Sequence, residues 1–98
     1  SLREGFVEAL VKKFIHSAQR HLIDMEKAAR EHDIQAYQDI AHALKGSSGT
    51  VGAMSMYQVC DEIEREKQQL TSDKMVSNAA RLKDVFQECC KEFEHYLA

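Results

Sequence analysis

The sequence predicts an all-α fold, an antiparallel up-down four-helix bundle, and three features of the chain support this prediction. Apolar residues recur at steps of three and four along four segments, which is the periodicity of amphipathic helices. Only short connections separate these segments, and the chain contains no proline that would interrupt a helix. We therefore expect helices over about residues 2–30, 34–51, 53–69 and 74–97, joined by short turns.

The first predicted helix carries one long apolar face. Its members are spaced for one side of a helix; they are Phe6, Leu10, Phe14, Ala18, Leu22, Met25 and Ala29. A row formed by Val7, Val11 and Ile15 flanks this face and widens it. The polar segment 31–33 ends the helix. Asp33 is a good N-cap for the next helix, because its carboxylate can accept a hydrogen bond from the first turn.

The second predicted helix has an apolar stripe within an arc of about 120°, the width expected of a face that packs against a core. The stripe consists of Ile34, Tyr37, Ile40, Ala41, Leu44, Ser48 and Val51. Gly52 suits the end of this helix, because glycine adopts the left-handed backbone conformation at little cost.

The last two helices are predicted from the same periodicity. The third directs an apolar set inward, namely Met56, Val59, Cys60, Ile63 and Leu70. Residues 71–73 supply a cap for the fourth helix. The stripe of that helix consists of Met75, Ala79, Leu82, Phe86, Cys89, Phe93 and Leu97.

The composition describes one small folded domain over residues 1–98, with 44% apolar and 30% charged residues. A net charge of −3 with dispersed basic residues argues against nucleic-acid binding. No apolar run approaches the length of a membrane span, and no signal-peptide pattern occurs, so we expect no membrane contact by this domain. The chain starts without methionine and inside a helical pattern, so we expect a domain of a longer protein.

The cysteines and most of the histidines are predicted to have structural or surface roles. The chain has three cysteines, and an odd number argues against a disulfide framework. We expect reduced thiols, with Cys60 and Cys89 in the core. His16, His21, His32 and His95 are read as surface residues, and His16 and His21 are spaced too unfavourably on a helix to bind one metal ion.

His42 is the exception among the histidines. It lies about 140° from the centre of the apolar stripe of the second helix, and therefore faces solvent. Gln38, Lys45, Gly46 and Gly49 project on the same side. Residues three and four positions further on cover a helical side chain. For His42 these residues are a lysine and a glycine, so the sequence predicts an open imidazole beside a cation, suited to receive an anion.

The stretch H-A-L-K-G-S-S-G-T-V-G-A, residues 42–53, resembles the core motif of histidine-containing phosphotransfer (HPt) domains of two-component phosphorelays. That motif is His-x-Leu-Lys-Gly, followed by small residues and a later Gly-Ala. The resemblance extends upstream through Phe14 and Leu22 and downstream to Ile63 and Glu64, so it covers most of the chain. In this family the histidine accepts and passes on a phosphoryl group, which implies that role for His42.

Glu64 is predicted to orient His42. In a helical hairpin that turns near residues 52–53, residues equally far from the turn lie at the same height, and this places Glu64 level with His42. Its carboxylate would hold the Nδ1 proton and leave Nε2 as the unprotonated nucleophile. Members of the family carry glutamine or glutamate at this spacing, and glutamate is typical of the phosphoacceptor domain of chemotaxis histidine kinases.

The positions of the residues around His42 predict further roles, and the resemblance implies a partner. We expect Lys45 to contact the phosphoryl group, Gly46 to provide steric clearance, and Gln38 and Gly49 to lie in the docking surface. The partner would be a receiver domain of a response regulator or of a hybrid kinase. The chain has no phosphate-binding glycine loop and no acidic pair suited to Mg²⁺. We therefore expect no cofactor in this domain, no kinase activity of its own, and Mg²⁺ in the receiver.

Other assignments stay open at this point. The chain would be a phosphorelay intermediate, a bundle that docks a receiver without phosphotransfer, or the acceptor domain of a chemotaxis-type kinase. The dimerisation hairpin of a sensor kinase fits poorly, since Ala43 follows His42 where an acidic residue would be typical and the chain lacks proline. We expect the domain to be monomeric and to lie in the cytoplasm. It could there be the terminal cytoplasmic domain of a membrane-bound hybrid sensor kinase.

Overall fold

The computed structural model describes the backbone of residues 2–66 and 70–97, and within this part of the chain the regular structure is entirely helical. Helix α1 covers Leu2–Arg30, α2 covers Ile34–Val51, α3 covers Met54–Arg65 and α4 covers Ser72–Leu97. Helix α2 packs against α1 and α3, and α4 packs against α3 and α1. This is the arrangement of an up-down four-helix bundle, so the predicted all-α fold is confirmed.

Two helix boundaries differ from the prediction. Helix α3 ends at Arg65, and Glu66 has extended backbone angles (φ −74°, ψ 95°). Residues 67–69, which were predicted to continue this helix, lie outside the described residues. Helix α4 starts at Ser72, earlier than predicted, because the Thr71 hydroxyl accepts a hydrogen bond from the Lys74 amide (3.2 Å) and caps the first turn.

The ends of α2 are formed by the two residues that the sequence indicated. The Asp33 carboxylate accepts a hydrogen bond from the Ala36 amide (3.1 Å). At the other end Gly52 is in the left-handed region with a φ of 78°. The amide of Ala53 donates to the Ser48 carbonyl (2.8 Å), which closes the helix in the manner of a Schellman motif. These caps fix where α2 begins and ends, and hence the height of its side chains relative to α3.

The core follows the predicted stripes over most of their length. The buried apolar residues are Val11, Phe14, Ala18, Leu22, Met25, Ala28, Ala29, Tyr37, Ala41, Leu44, Ala53, Met56, Val59, Cys60, Ile63, Leu70, Met75, Ala79, Leu82, Phe86, Cys89 and Phe93. The predicted burial is wrong for two members of the stripes, since Phe6 is 67% exposed and Ile34 is 39% exposed. At 1.5 Å per residue α1 is about 16 Å longer than α2, so its first turns extend past α2 and Phe6 has little to pack against.

A polar network joins Tyr37 of α2 to Asn78 of α4 and, through Asn78, to Glu66 at the end of α3. The fully buried Tyr37 side chain has its hydroxyl in reach of Asn78, whose amide donates to it at 3.1 Å. The same amide donates to the Glu66 carboxylate (3.1 Å), which also pairs with Lys74 (3.2 Å). His32, predicted to be a simple surface residue, has a positive φ of 54° and contacts the Leu70 carbonyl through Nε2 (2.8 Å). These bonds hold the two loops at that end of the bundle together.

Across the described ranges, no helix is both long enough and apolar enough to cross a membrane.

Candidate functional site

His42 lies on the outer face of α2. Its side chain is 79% exposed, whereas its neighbours Ala41 and Leu44 are fully buried. The helical periodicity that places Ala41 and Leu44 in the core therefore turns His42 outward. The prediction that this imidazole faces solvent agrees with the structure.

Glu64 contacts one of the two ring nitrogens of His42. Its Oε2 atom lies 3.1 Å from His42 Nδ1. Because a carboxylate can only accept, this contact requires Nδ1 to carry the proton, which leaves the Nε2 lone pair free in the neutral ring. Glu64 is three-quarters buried, so its carboxylate is held in place by the packing of α3. The contact deduced from the hairpin register is present.

Lys45 is close to the site, but its ammonium group is directed toward α3. It donates to Asp61 Oδ1 at 2.9 Å and lies 3.9 Å from Glu64 Oε1. It also lies 5.5 Å from the centre of the Tyr57 ring, within the range of a cation–π contact. The hydrogen bond with Asp61 raises the pKa of Lys45. The sequence predicted this cation beside the imidazole, and the structure directs the ammonium to partners on α3.

Asp61 was not singled out from the sequence. Its Oδ1 atom accepts from Lys45 and its Oδ2 atom accepts from Arg65 Nε at 2.9 Å. The bond with Lys45, together with the charge of Arg65, lowers the pKa of the Asp61 carboxyl. The hairpin register that places Glu64 level with His42 also places Asp61 level with Lys45, so the same argument could have found it.

Gly46 and Gly49 lie on the same side of α2 as His42, and their surroundings differ. A Cβ atom added at Gly46 would meet no atom within 4 Å. No contact inside the domain therefore requires a glycine there. A Cβ atom at Gly49 would lie 3.4 Å from Cδ2 of Tyr57, an ordinary packing distance. Gly46 thus leaves the helix surface open one turn beyond the imidazole.

The remaining predicted residues have simpler settings. Gln38, one turn before His42, is half-buried on α2. Cys60 and Cys89 are buried with free thiols, as predicted, and Cys90 is half-buried. In the part of the chain that the structure describes, no group of three or more metal-ligating side chains is brought together.

A four-helix bundle with an exposed imidazole that is fixed through Nδ1 and bordered by a bare helix surface is the arrangement expected of a phosphoryl-accepting domain. The family comparison agrees with this class. The model of the Hpt domain family matches residues 9–96, and the chain belongs to this family. Hpt domains act in phosphorelays and interact there with receiver domains.

The chain is similar to Multistep phosphorelay regulator 1 of Schizosaccharomyces pombe. It is 30% identical over 59 residues, which make up 60% of this chain and 20% of the relative. The chain thus aligns with about a fifth of the length of that protein. No solved structure gives a significant match to the chain.

Proposed function

We propose that the domain is a phosphorelay intermediate that accepts a phosphoryl group on His42 Nε2 and passes it to the aspartate of a receiver domain. The observation that carries this proposal is the pairing of Nδ1 with Glu64 on an imidazole that is 79% exposed. Family membership and the phosphorelay named in the relative favour this function over docking without phosphotransfer and over a chemotaxis-type kinase acceptor.

The transfer step follows from the geometry of the ring. The Nε2 lone pair attacks the phosphorus of a receiver phospho-aspartate, the new P–N bond forms, and the P–O bond breaks. The electron pair of that bond returns to the aspartate carboxylate of the receiver. The imidazole becomes cationic with its proton still on Nδ1, and the charge of Glu64 stabilises it. Transfer to a second receiver is the reverse of this step.

The remaining parts of the reaction belong to the partner. We propose that the receiver supplies Mg²⁺ and the acidic pocket, while this chain supplies an oriented nucleophile and the cation of Lys45. Gly46 gives the receiver room to approach, and Gln38 and Gly49 lie within the area that it covers. We further propose that the domain acts as a monomer in the cytoplasm, because this face of α2 must stay open to receivers.

The test is phosphotransfer from a panel of receiver domains, each charged on its aspartate with radiolabelled acetyl phosphate. We expect at least one receiver to transfer an acid-labile, base-stable label to the wild-type chain and none to His42→Gln. His95→Gln, a change at another exposed histidine, should be labelled normally. Equal labelling of His42→Gln, or no labelling of the wild type by any donor, would contradict the proposal.

A further inference from the structure

The cation nearest to His42 is already paired in this structure. Lys45 Nζ lies 2.9 Å from Asp61 Oδ1 and 3.9 Å from Glu64 Oε1, and the side chain is only 26% exposed. Its ammonium also lies over the Tyr57 ring, 5.5 Å from the ring centre. A lysine that stabilises a phosphoryl group on His42 must therefore leave, or share, a partner on α3.

The groups around Asp61 make such an exchange chemically reasonable. Asp61 and Lys45 each favour the charged form of the other, since the pKa of the carboxyl is lowered and that of the ammonium is raised. The second oxygen of Asp61 has its own partner, Arg65, at 2.9 Å. Asp61 would therefore keep one ion pair after Lys45 moved away. A phosphoryl group carries more negative charge than a carboxylate and offers three acceptor oxygens.

We propose that Asp61 is a positioning residue: it holds Lys45 against α3 in the unphosphorylated domain and competes with the phosphoryl group of phosphohistidine for the same ammonium. This inference rests on the proposed function of His42. Competition weakens the stabilisation that Lys45 gives to the phosphohistidine. Asp61 therefore shortens the lifetime of the phosphorylated state and favours onward transfer.

A simpler effect of Asp61 has to be separated from this one. A carboxylate near the site also repels a phosphoryl group directly, whatever Lys45 does. Asp39 provides a matched control, because it lies one helical turn before His42 and its carboxylate pairs with Gln35 (2.8 Å), a residue of its own helix. Asp39→Asn and Asp61→Asn each remove one acidic charge near His42, but only the second releases Lys45.

The experiment measures phosphohistidine lifetimes after phosphorylation by phosphoramidate, a small donor that needs no receiver. The P–N bond of phosphoramidate breaks, ammonia leaves, and the phosphorus bonds to His42 Nε2. After removal of the donor, water attacks the phosphorus, the P–Nε2 bond breaks, its electron pair returns to the ring, and inorganic phosphate is released. The half-life is compared in the wild type, Asp61→Asn, Lys45→Ala, the double variant and Asp39→Asn.

We expect Asp61→Asn to lengthen the half-life by about three- to tenfold and Lys45→Ala to shorten it by a similar factor. In the Lys45→Ala background, Asp61→Asn should change the half-life no more than Asp39→Asn does in the wild type. Equal half-lives for Asp61→Asn and the wild type would overturn the inference. So would an equal lengthening with and without Lys45, which is the result that direct repulsion predicts.

The ring proton resonances of Tyr57 give a second test, because a merely structural role of Asp61 would not change them on phosphorylation. Because the Lys45 ammonium lies over the Tyr57 ring, its departure should shift the ring proton resonances of Tyr57. Phosphorylation should produce this shift in the wild type, and Asp61→Asn should show part of it before phosphorylation. Unchanged Tyr57 resonances in both cases would count against the exchange of Lys45.

The outcome also separates this inference from the proposed function. If His42 is phosphorylated in all variants but their half-lives agree, only the role of Asp61 is wrong. If neither phosphoramidate nor any phosphorylated receiver labels His42 in the wild type, both the proposed function and the role of Asp61 are wrong.

Discussion

At His42 the packing of one carboxylate decides which ring nitrogen is available. Glu64 is anchored in α3 and accepts from Nδ1, so the tautomer with a free Nε2 is favoured in the neutral ring, and the same carboxylate faces the cationic ring after phosphorylation. The Nε2 atom is therefore oriented although it forms no hydrogen bond of its own with the residues that the structure describes. Under the proposed function, this orientation would make a side chain on the surface of the bundle a directed nucleophile.

Removal of the Glu64 carboxylate tests this role. Glu64→Ala should slow the phosphorylation of His42 by phosphoramidate by roughly three- to tenfold, which corresponds to the loss of a single hydrogen bond of about 0.7–1.4 kcal/mol. Glu64→Gln keeps an oxygen that can accept from Nδ1 and should lose less. The rates are measured by the amount of phosphohistidine formed with time. Wild-type rates in Glu64→Ala would mean that the tautomer needs no such partner.

A substitution at Gly46 distinguishes docking of the receiver from the chemical reactivity of His42. An added Cβ atom there meets nothing, so Gly46→Gln should fold normally and gain some helix propensity, because glycine costs about 1 kcal/mol relative to ordinary helix residues. The longer side chain stands in the path of a receiver and should slow transfer from a phosphorylated receiver by about tenfold, or about 1.4 kcal/mol of docking free energy. The rate with phosphoramidate should not change.

Gly5→Gln is the matched control for Gly46→Gln. Gly5 is also an exposed helical glycine with open space at its Cβ position, but it lies on α1. This variant should accept phosphoryl groups from receivers at the wild-type rate. A Gly46→Gln variant that does the same would show that the bare surface beside His42 has no part in docking.

Sequence reasoning reached some of these residues and not others for a physical reason. The exposure of His42 depends only on helix periodicity, and the Glu64 contact depends only on the register of a hairpin. The direction of the Lys45 side chain depends on a competition between Asp61, Glu64 and Tyr57 for one flexible ammonium group. Register places Asp61 level with Lys45, but neither periodicity nor register determines which partner the ammonium takes, so the pairing itself is seen only in the structure.

At the scale of the helices, the hairpin of α2 and α3 brings the site together. Its register depends on the turn at Gly52, where φ is 78° and the amides of residues 52 and 53 bond back to the last turn of α2. A residue with a side chain is strained in this conformation by about 1–2 kcal/mol. The turn therefore determines both the stability of the hairpin and the height at which Glu64 meets His42.

Substitution at Gly52 tests this dependence. Gly52→Ala should lower the free energy of unfolding by about 1 kcal/mol, whereas Gly46→Ala, in the interior of the same helix, should raise it by up to about 1 kcal/mol. Gly52→Asn should lose less than Gly52→Ala, because asparagine tolerates the left-handed region. Urea unfolding followed by circular dichroism measures all three. Equal effects of alanine at both glycines would contradict the assigned turn geometry.

The ends of α2 could be predicted from the sequence, whereas the end of α3 could not. Asp33 and Gly52 carry chemical signals for helix ends, and both ends of α2 agree with them. The end of α3 at Arg65 has no comparable signal in the chain, because the segment after it remains polar and helix-compatible. Leu70 is buried and the Thr71 hydroxyl caps α4, but neither contact can be read from the sequence pattern of α3.

At the scale of the whole molecule, the periodic stripes predict which faces are buried, but not how far the neighbouring helices extend. The fold class followed from four stripes and short connections. The exposure of Phe6 did not, because it depends on the difference in length between α1 and α2. Burial is a property of the assembled bundle, so the ends of long helices are the places where stripe arguments fail.

The core also makes stability depend on alkaline pH. Burial raises the pKa of Cys60 to about 12, and it also raises the pKa of Tyr37. In the unfolded chain the thiol loses its proton near pH 9.0, whereas the folded protein keeps it until about pH 12. The folded state therefore binds more protons within this window, and the free energy of unfolding falls as pH rises through it.

We expect a decrease of about 1 kcal/mol per pH unit above pH 9 from Cys60. Urea unfolding at a series of pH values under reducing conditions measures this slope. Cys60→Val should flatten it, while Cys90→Ala, at a half-buried position, should change it less. A slope that is the same in Cys60→Val would assign the alkaline sensitivity to other groups.

The most direct measurement of the central claim is the site of phosphorylation on the intact domain. The chain has five histidines, and their ring nitrogens give separate signals in ¹H–¹⁵N spectra of labelled protein. Treatment with phosphoramidate should convert His42 alone to the Nε2-phosphorylated form, with its proton retained on Nδ1 beside Glu64. Phosphorylation on Nδ1, or at another histidine while His42 stays unmodified, would contradict the account.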